Sequence, residues 1–149
     1  MKRLILIFAA LFSVTLLSAQ NPVSWAFSTK KISDKIYEIH LTATIQPGWH
    51  LYAQTQPADA IAVPTTFNFN NNPLLDFDGK VKEVGKLEKY SDKVLDVTAY
   101  QYSNKVNFVQ VVKMKGKAKT AITGKLEFQT CDDKKCLPPK TVPFNIALN

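Results

Sequence analysis

The only thiols in this 149-residue chain are Cys131 and Cys136, separated by Asp132-Asp133-Lys134-Lys135. A close cysteine pair can close a disulfide, help bind a metal, or supply a nucleophile. The alternating run Ile122 to Phe128 leads into it, and Leu137-Pro138-Pro139 stops the chain after it. A four-residue connection between two strands can set its end residues opposite each other. Cross-strand Cα separations of about 4.5–5.5 Å overlap the disulfide range, so pairing needs little backbone movement. Zinc generally takes four ligands, and the other soft donors are only His40 and His50, so the ligand count argues against zinc or copper. Two cysteines that pair are not free nucleophiles. The expectation is a disulfide, with no metal and no organic cofactor.

Three features bear on whether such a bond is a staple or a reactive group. Closing so short a loop removes little chain entropy, about 2 kcal/mol. Parity along Ile122–Phe128 places Cys131 with Lys125, Glu127 and Gln129, opposite Leu126 and Phe128, and so predicts a position at the exposed rim. Pro138 and Pro139 stiffen the exit, because proline fixes its own φ and restricts the residue before it. A stiff, exposed, short-loop disulfide is open to attack by a partner thiolate. Lys134 and Lys135 would favour a thiolate and Asp132 and Asp133 oppose one. On these residues alone, reactive and structural roles both stand.

The N-terminus sets the compartment. Lys2 and Arg3 precede an apolar run from Leu4 to Leu17, and small residues follow at Ser18 and Ala19. This is the pattern of a secretory signal peptide, residues 1–19, cut after Ala19 and too short to span a bilayer stably. The mature domain, residues 20–149, is then expected in the periplasm or outside the cell, where a disulfide persists. No cysteine at the cut site offers a lipid anchor, and no later segment is long and apolar enough to insert in a membrane. The charge is +7, from 19 basic and 12 acidic residues. Its lysines are scattered, apart from Lys113 to Lys119, which reads as a solvated strand edge and turn. Without a basic face carrying stacking aromatics, nucleic acid is not an expected partner.

The elements that must hold the pair are strands. Tyr37, Ile39, Leu41, Ala43 and Ile45 alternate with Glu38, His40, Thr42 and Thr44, the pattern of a half-buried antiparallel strand. His40 falls on its polar face and reads as a solvated histidine. Ser24 to Ser28 is a first strand. Pro47-Gly48 makes a turn into a short strand, Trp49–Gln54, where two aromatics and His50 could line a site or simply pack. Thr55 to Pro64 reads as a loop and Thr66 to Asn70 as a strand with Phe67 and Phe69 inward. Leu74 to Phe77 is a short run closed by Asp78-Gly79. Lys80 to Lys93 reads as strand pieces around a mobile loop. Leu95, Val97 and Ala99 alternate, and Val106 to Met114 is apolar on both faces and so central. Ile122 to Phe128, then Val142 to Leu148, complete the set. About eight or nine short antiparallel strands with no amphipathic helix predict an all-β, immunoglobulin-like sandwich. About 130 mature residues suit one domain with a single core.

Around the cysteines the chain resembles the N-terminal periplasmic domain of the thiol:disulfide interchange protein DsbD, the disulfide-bond corrector family. The resemblance rests on Pro47-Gly48-Trp49-His50-Leu51-Tyr52, on Gly85-Lys86 followed by Tyr90, and on Phe128-Gln129-Thr130-Cys131 through Cys136-Leu137-Pro138-Pro139, and it extends over most of the mature chain. It implies an immunoglobulin-like domain with a redox-active pair. Electrons would come from a thioredoxin-like domain, itself fed by a membrane-embedded one, and pass to disulfide isomerases and cytochrome-maturation thioredoxins. By position, Cys136 would form mixed disulfides and Cys131 resolve them, with Trp49, His50 and Tyr52 beside the pair. The chain departs from the family in two places. It stops just after the domain, so the membrane and thioredoxin-like parts are expected as separate proteins. The stretch matching the family's aromatic cap loop, Lys82 to Lys86, has no aromatic, and Tyr90 is the substitute.

The expected function is thiol–disulfide exchange through Cys131–Cys136 between a thioredoxin-like donor and disulfide-bonded clients. Two other readings remain beside it. One is a secreted binding or assembly module whose disulfide only stiffens a recognition loop. The other is an enzyme on the sandwich edge using His50 with an acid such as Asp96, for which the spacing offers no triad.

Overall fold

The computed structural model describes residues 21–94 and 96–148. The expected signal peptide and cut site, and Leu95, lie outside the described residues. Among the described residues, eleven strands run in chain order: β1 Val23–Lys31, β2 Ile36–Ile45, β3 His50–Tyr52, β4 Thr66–Phe69, β5 Leu75–Gly85, β6 Glu88–Asp92, β7 Val97–Tyr102, β8 Lys105–Met114, β9 Thr120–Phe128, β10 Thr130–Cys131 and β11 Lys140–Leu148. They form three antiparallel sheets ordered β1-β2-β8-β5, β10-β3-β7-β6 and β11-β9-β4. This is the immunoglobulin-like all-β architecture that the alternation predicts, with more strands than eight or nine because β6 and the two-residue β10 are added to the expected set.

The period-two runs bury the side they predict. On β2, Tyr37, Ile39, Leu41, Ala43 and Ile45 are buried, and on β11 so are Phe144, Ile146 and Leu148. β8 is central, between β2 and β5. Aromatic contacts stitch the first sheet to the third: Trp25 to Phe67 and Phe128, Phe67 to Phe108, and Phe27 to Phe144, with ring centroids 4.9–6.4 Å apart. Tyr102 of β7 meets Phe108 edge-on at 6.5 Å, which joins the second sheet to the same core. β9 runs into β10 with only Gln129 between them, so the chain passes from the third sheet to the second at the doorstep of Cys131.

Three expectations are corrected. Asp78-Gly79 does not close a strand: β5 continues through it to Gly85, with a register shift between Asp78 and Lys82. Gly79 takes φ 67°, which glycine adopts freely, and the buried Gln110 amide donates to the Asp78 carbonyl at 3.0 Å. The pairing therefore resumes beyond the bulge. Lys80 to Lys93 does hold strand pieces, the second half of β5 and all of β6, but the loop between them is only Lys86-Leu87. Both are edge strands, whose exposed charged side chains hide the alternation. Finally, Lys113 to Lys119 lies at the end of central β8 and in the turn after it, not on a sheet edge.

Candidate functional site

The cysteine loop is a miniature hairpin. Cys131 and Cys136 face each other as an antiparallel bridge, Cα–Cα 4.0 Å, and are joined as a disulfide. Asp132 sits at the first loop position and organises the turn: its Oδ1 accepts from the N–H groups of Lys134 and Lys135, each at 2.8 Å. Backbone bonds from Asp132 N to Lys135 O and from Leu137 N to Thr130 O, both 2.9 Å, complete the hairpin. The Lys134 N–H holds the Asp132 carboxyl below the usual carboxylate range; slight desolvation opposes this, while the Lys135 N–H and the two lysine charges add to it.

β3 supplies the wall. Leu51 pairs with Thr130 on the buried side, and His50 pairs with Cys131 on the other. A strand of three residues needs outside support, and polar side chains provide it. Thr65 Oγ1 donates to the Tyr52 carbonyl at 2.6 Å, and the Gln56 amide bridges the Ala53 and Tyr100 carbonyls at 3.0 and 2.7 Å. The predicted parity of Cys131 is right but its exposure is not. It shares the outward face with His50, yet it is only 5 % exposed, because side chains of β3 and the neighbouring strands enclose that face. Cys136, across the loop, is exposed.

Beside the bond lies a cavity of about 290 Å³, lined by both cysteines, the four loop residues, His50 and Tyr52 of β3, Tyr90 and Asp92 of β6, and residues from β7 and the Ile61-Ala62 segment. Tyr52 Oη donates to Cys131 Sγ at 3.0 Å. Burial raises the Tyr52 phenol, with Tyr90 adding to it, so the phenol keeps its proton and remains a donor to sulfur. His50 Nδ1 lies 3.1 Å from Ser103 Oγ, and Nε2 lies 3.7 Å from Asp133 Oδ1. Ser103 Oγ in turn donates to Glu88 Oε2 at 2.8 Å.

Of the four site-lining residues expected from sequence, His50, Tyr52 and Tyr90 meet at this cavity. Trp49 stands outside it, packed on the core, with the Lys135 ammonium 5.9 Å from its ring centroid. Tyr90, 47 % exposed, lies on a paired strand rather than on a loop. Of Lys82 to Lys86, matched above to a cap loop, all but Lys86 belong to β5, and Glu83 is tied down by the Gln54 N–H at 2.6 Å and the Tyr102 hydroxyl at 2.7 Å. Burial, then Glu83, push the Tyr102 phenol up, so it too stays a donor.

Asp96 is exposed in the turn before β7 with φ 51°, and the carboxylate that faces His50 is Asp133. His40 lies on β2, away from the cavity, bonded to Asn107 at 2.8 Å and 3.5 Å from Glu38. Among the described residues, no three or more His, Cys, Asp or Glu side chains are grouped to hold a metal. Ser103 and Glu88 escaped the sequence reading. Neither belongs to a motif, and they stand 53 and 38 positions from His50 in the chain.

The sequence matches, over residues 16–147, the family described as thiol:disulfide interchange protein DsbD, N-terminal. No curated protein matches. Among solved structures, the chain is similar to the Neisseria meningitidis DsbD N-terminal domain in the reduced form: 16 % identity, TM-score 0.56, covering 84 % of this chain and 86 % of that one. It is similar to the N-terminal periplasmic domain of ScsB from Proteus mirabilis, at 15 % identity and TM-score 0.60, covering 89 % of this chain and 48 % of that one. A third likeness is to the complex between the DsbD and PilB N-terminal domains of Neisseria meningitidis, at 14 % identity and TM-score 0.55, covering 88 % and 87 %. At these identities the structural likeness is one of fold.

Proposed function

The chain belongs to the family of N-terminal domains of the thiol:disulfide interchange protein DsbD, and we propose that Cys131–Cys136 is the pair through which it exchanges electrons, as an exported module. The observation that carries this reading is the asymmetry of the pair. Cys136 is exposed, whereas Cys131 is buried and accepts a hydrogen bond from Tyr52. A partner thiolate reaches the Cys136 sulfur and forms a mixed disulfide there, and the electron pair of the broken bond leaves on Cys131. Tyr52 then donates to a thiolate, a stronger acceptor than a disulfide sulfur, and so favours the departing charge. The partner's second thiol attacks its own mixed-disulfide sulfur, releasing the dithiol form of this domain and an oxidised partner. The reduced domain repeats the exchange, in the opposite sense, with an oxidised client.

The partners we propose are thioredoxin-like proteins or domains on both sides of this transfer, with a membrane-embedded electron donor upstream and disulfide isomerases or cytochrome-maturation thioredoxins downstream. One structurally similar protein is the DsbD N-terminal domain in complex with the PilB N-terminal domain, and that complex supports a protein partner for this chain. Residues 1–19 act as a cleaved leader, so residues 20–149 work in the periplasm or outside the cell. Tyr90 and His50 line the route to the sulfurs.

The test is a redox titration in defined thiol buffers, followed by trapping. A midpoint above about −300 mV is expected, since stable structural disulfides lie below it. Cys131→Ala, which leaves Cys136 without its resolving partner, should then accumulate a mixed disulfide with a thioredoxin-like protein. A midpoint well below that limit, with no trapped species, would make the bond a staple on a binding module.

A further inference from the structure

A line of polar groups runs from the surface to the disulfide, and the exchange as described above makes no use of it. The Ser103 hydroxyl has one proton, and it goes to Glu88 Oε2 at 2.8 Å, because a carboxylate can only accept. The Ser103 oxygen must therefore accept at its other contact, from His50 Nδ1 at 3.1 Å. This fixes a proton on Nδ1 in either charge state of the ring. Nε2 is left facing Asp133 Oδ1 at 3.7 Å. The ring is also placed for the sulfur: His50 is the cross-strand partner of Cys131, directly opposite residues on one face are neighbours, and both line the same cavity. Ser103 is itself held by the tight turn into β8, where Asn104 takes φ 62° and the Lys105 N–H returns to the Ser103 carbonyl at 2.7 Å.

We propose that His50, oriented through Nδ1 by Ser103 and Glu88, is the acid–base residue that gives a proton to the Cys131 sulfur when the disulfide opens and removes it when the disulfide closes. This rests on the exchange reading above. In the opening step a partner thiolate bonds to Cys136 Sγ, the bond between Cys136 and Cys131 breaks, and its electron pair stays on Cys131 Sγ. The imidazolium Nε2–H protonates that sulfur, leaving a thiol and a neutral ring that still holds its Nδ1 proton. Both electrons come from the partner dithiol, which departs as a disulfide. In closing, neutral Nε2 takes the proton back and the Cys131 thiolate attacks the mixed disulfide at Cys136.

Asp133 pairs with the ring only while it is charged, so the loop carboxylate is released as the proton moves. The ionisable groups facing the imidazole are Asp133 from the loop, Glu88 of β6 through Ser103, Tyr52 of its own strand, and Cys131 of β10. Tyr90 and Asp92 of β6, and Asp132, Lys134 and Lys135 of the loop, share the cavity and contribute to its field.

The experiment is stopped-flow reduction of the oxidised protein by dithiothreitol over roughly pH 5 to 8, where imidazoles change charge. Rates of wild type and His50→Gln are taken as a ratio, which cancels titration of the reductant. The expected ratio is about tenfold at the acid end, falling toward one at the alkaline end; this is below the usual gain from a general acid because a thiolate can leave without a proton. Ser103→Ala keeps the imidazole but should move the inflection of the profile, and Ser103→Thr should restore it. Circular dichroism and an intact disulfide check the fold of each variant, and His50→Asn replaces His50→Gln if the latter does not fold. A ratio near one at every pH overturns the proposal, as does a Ser103→Ala profile that coincides with wild type. Wild-type protein that dithiothreitol cannot reduce at all overturns the exchange reading beneath it, a result distinct from either.

Discussion

Tyr52 and Asp132 each do something no neighbour in sequence could do. Tyr52 places a half-buried phenolic O–H on the Cys131 sulfur, and a hydrogen bond to a charged acceptor is worth more than one to a neutral sulfur. Tyr52→Phe should therefore slow reduction of the disulfide about fivefold, or roughly 1 kcal/mol of lost stabilisation of the departing thiolate. It should also shift the thiolate absorbance titration of the reduced protein upward. Equal rates and titrations for the two proteins would mean that the contact is packing alone. Asp132 acts on the loop. Its folded-state pKa is depressed, so its contribution to stability is fully present above the ordinary value of 3.8 and is lost as pH falls through the lower folded-state value. The gap in melting temperature between wild type and Asp132→Ala should be constant near neutrality and close as the solution is acidified below 3.8. A gap independent of pH would remove the carboxylate from the account.

The short strands β3 and β10 depend on elements larger than themselves. β10 pairs with β3 through Thr130–Leu51 and Cys131–His50, and β3 joins β7 through Leu51–Tyr102 and Tyr52–Gln101. Four cross-strand pairs thus connect the disulfide to the second sheet. The third sheet fixes where β9 delivers the chain to β10, and Gly124 is its tightest point. A Cβ built there would lie 2.7 Å from Phe144 Cζ and closer still to the Asn68 carbonyl oxygen, which belongs to the backbone of β4 and cannot yield cheaply. Gly124→Ala should destabilise the domain by about 2 kcal/mol through overpacking, read as a lower denaturation midpoint with the disulfide intact. An unchanged midpoint would show that β4 and β11 can part to admit a methyl group.

For the molecule as a whole, the bond is small against the core. Its loop spans a sequence separation of 5, and closing it is worth about 2 kcal/mol. The sandwich has its own aromatic interior around Trp25, Phe67, Phe108 and Phe128. A Cys131→Ala, Cys136→Ala double variant should remain folded, with stability lowered by about 2 kcal/mol and exchange abolished. Loss of the folded state on removing the pair would assign the bond a structural duty that exchange alone does not require.

What could be read from the linear chain was whatever depends on near neighbours. Alternation in Ile36–Ile45, Val106–Met114, Ile122–Phe128 and Val142–Leu148 reveals strands and their buried faces, because side chains on a strand point alternately to either side. The four-residue spacing of the cysteines reveals a hairpin that brings them together, because chain geometry over a few residues leaves few other closures. Elsewhere the local signal failed. Asp78-Gly79 has the composition of a turn, and the buried Gln110 of another strand makes it a bulge; the charges of β5 and β6 look like a loop until pairing shows them to be edges. Cys131 has the parity of an exposed residue, yet β3 and its neighbours cover it. Ser103 and Glu88 carry no mark at all in the sequence. Burial and side-chain partnership are set by strands far apart in the chain, so the strand faces and the disulfide were legible in the sequence, while the asymmetry of the sulfurs and the polar line to His50 arise only where β10, β3, β7 and β6 assemble into one sheet.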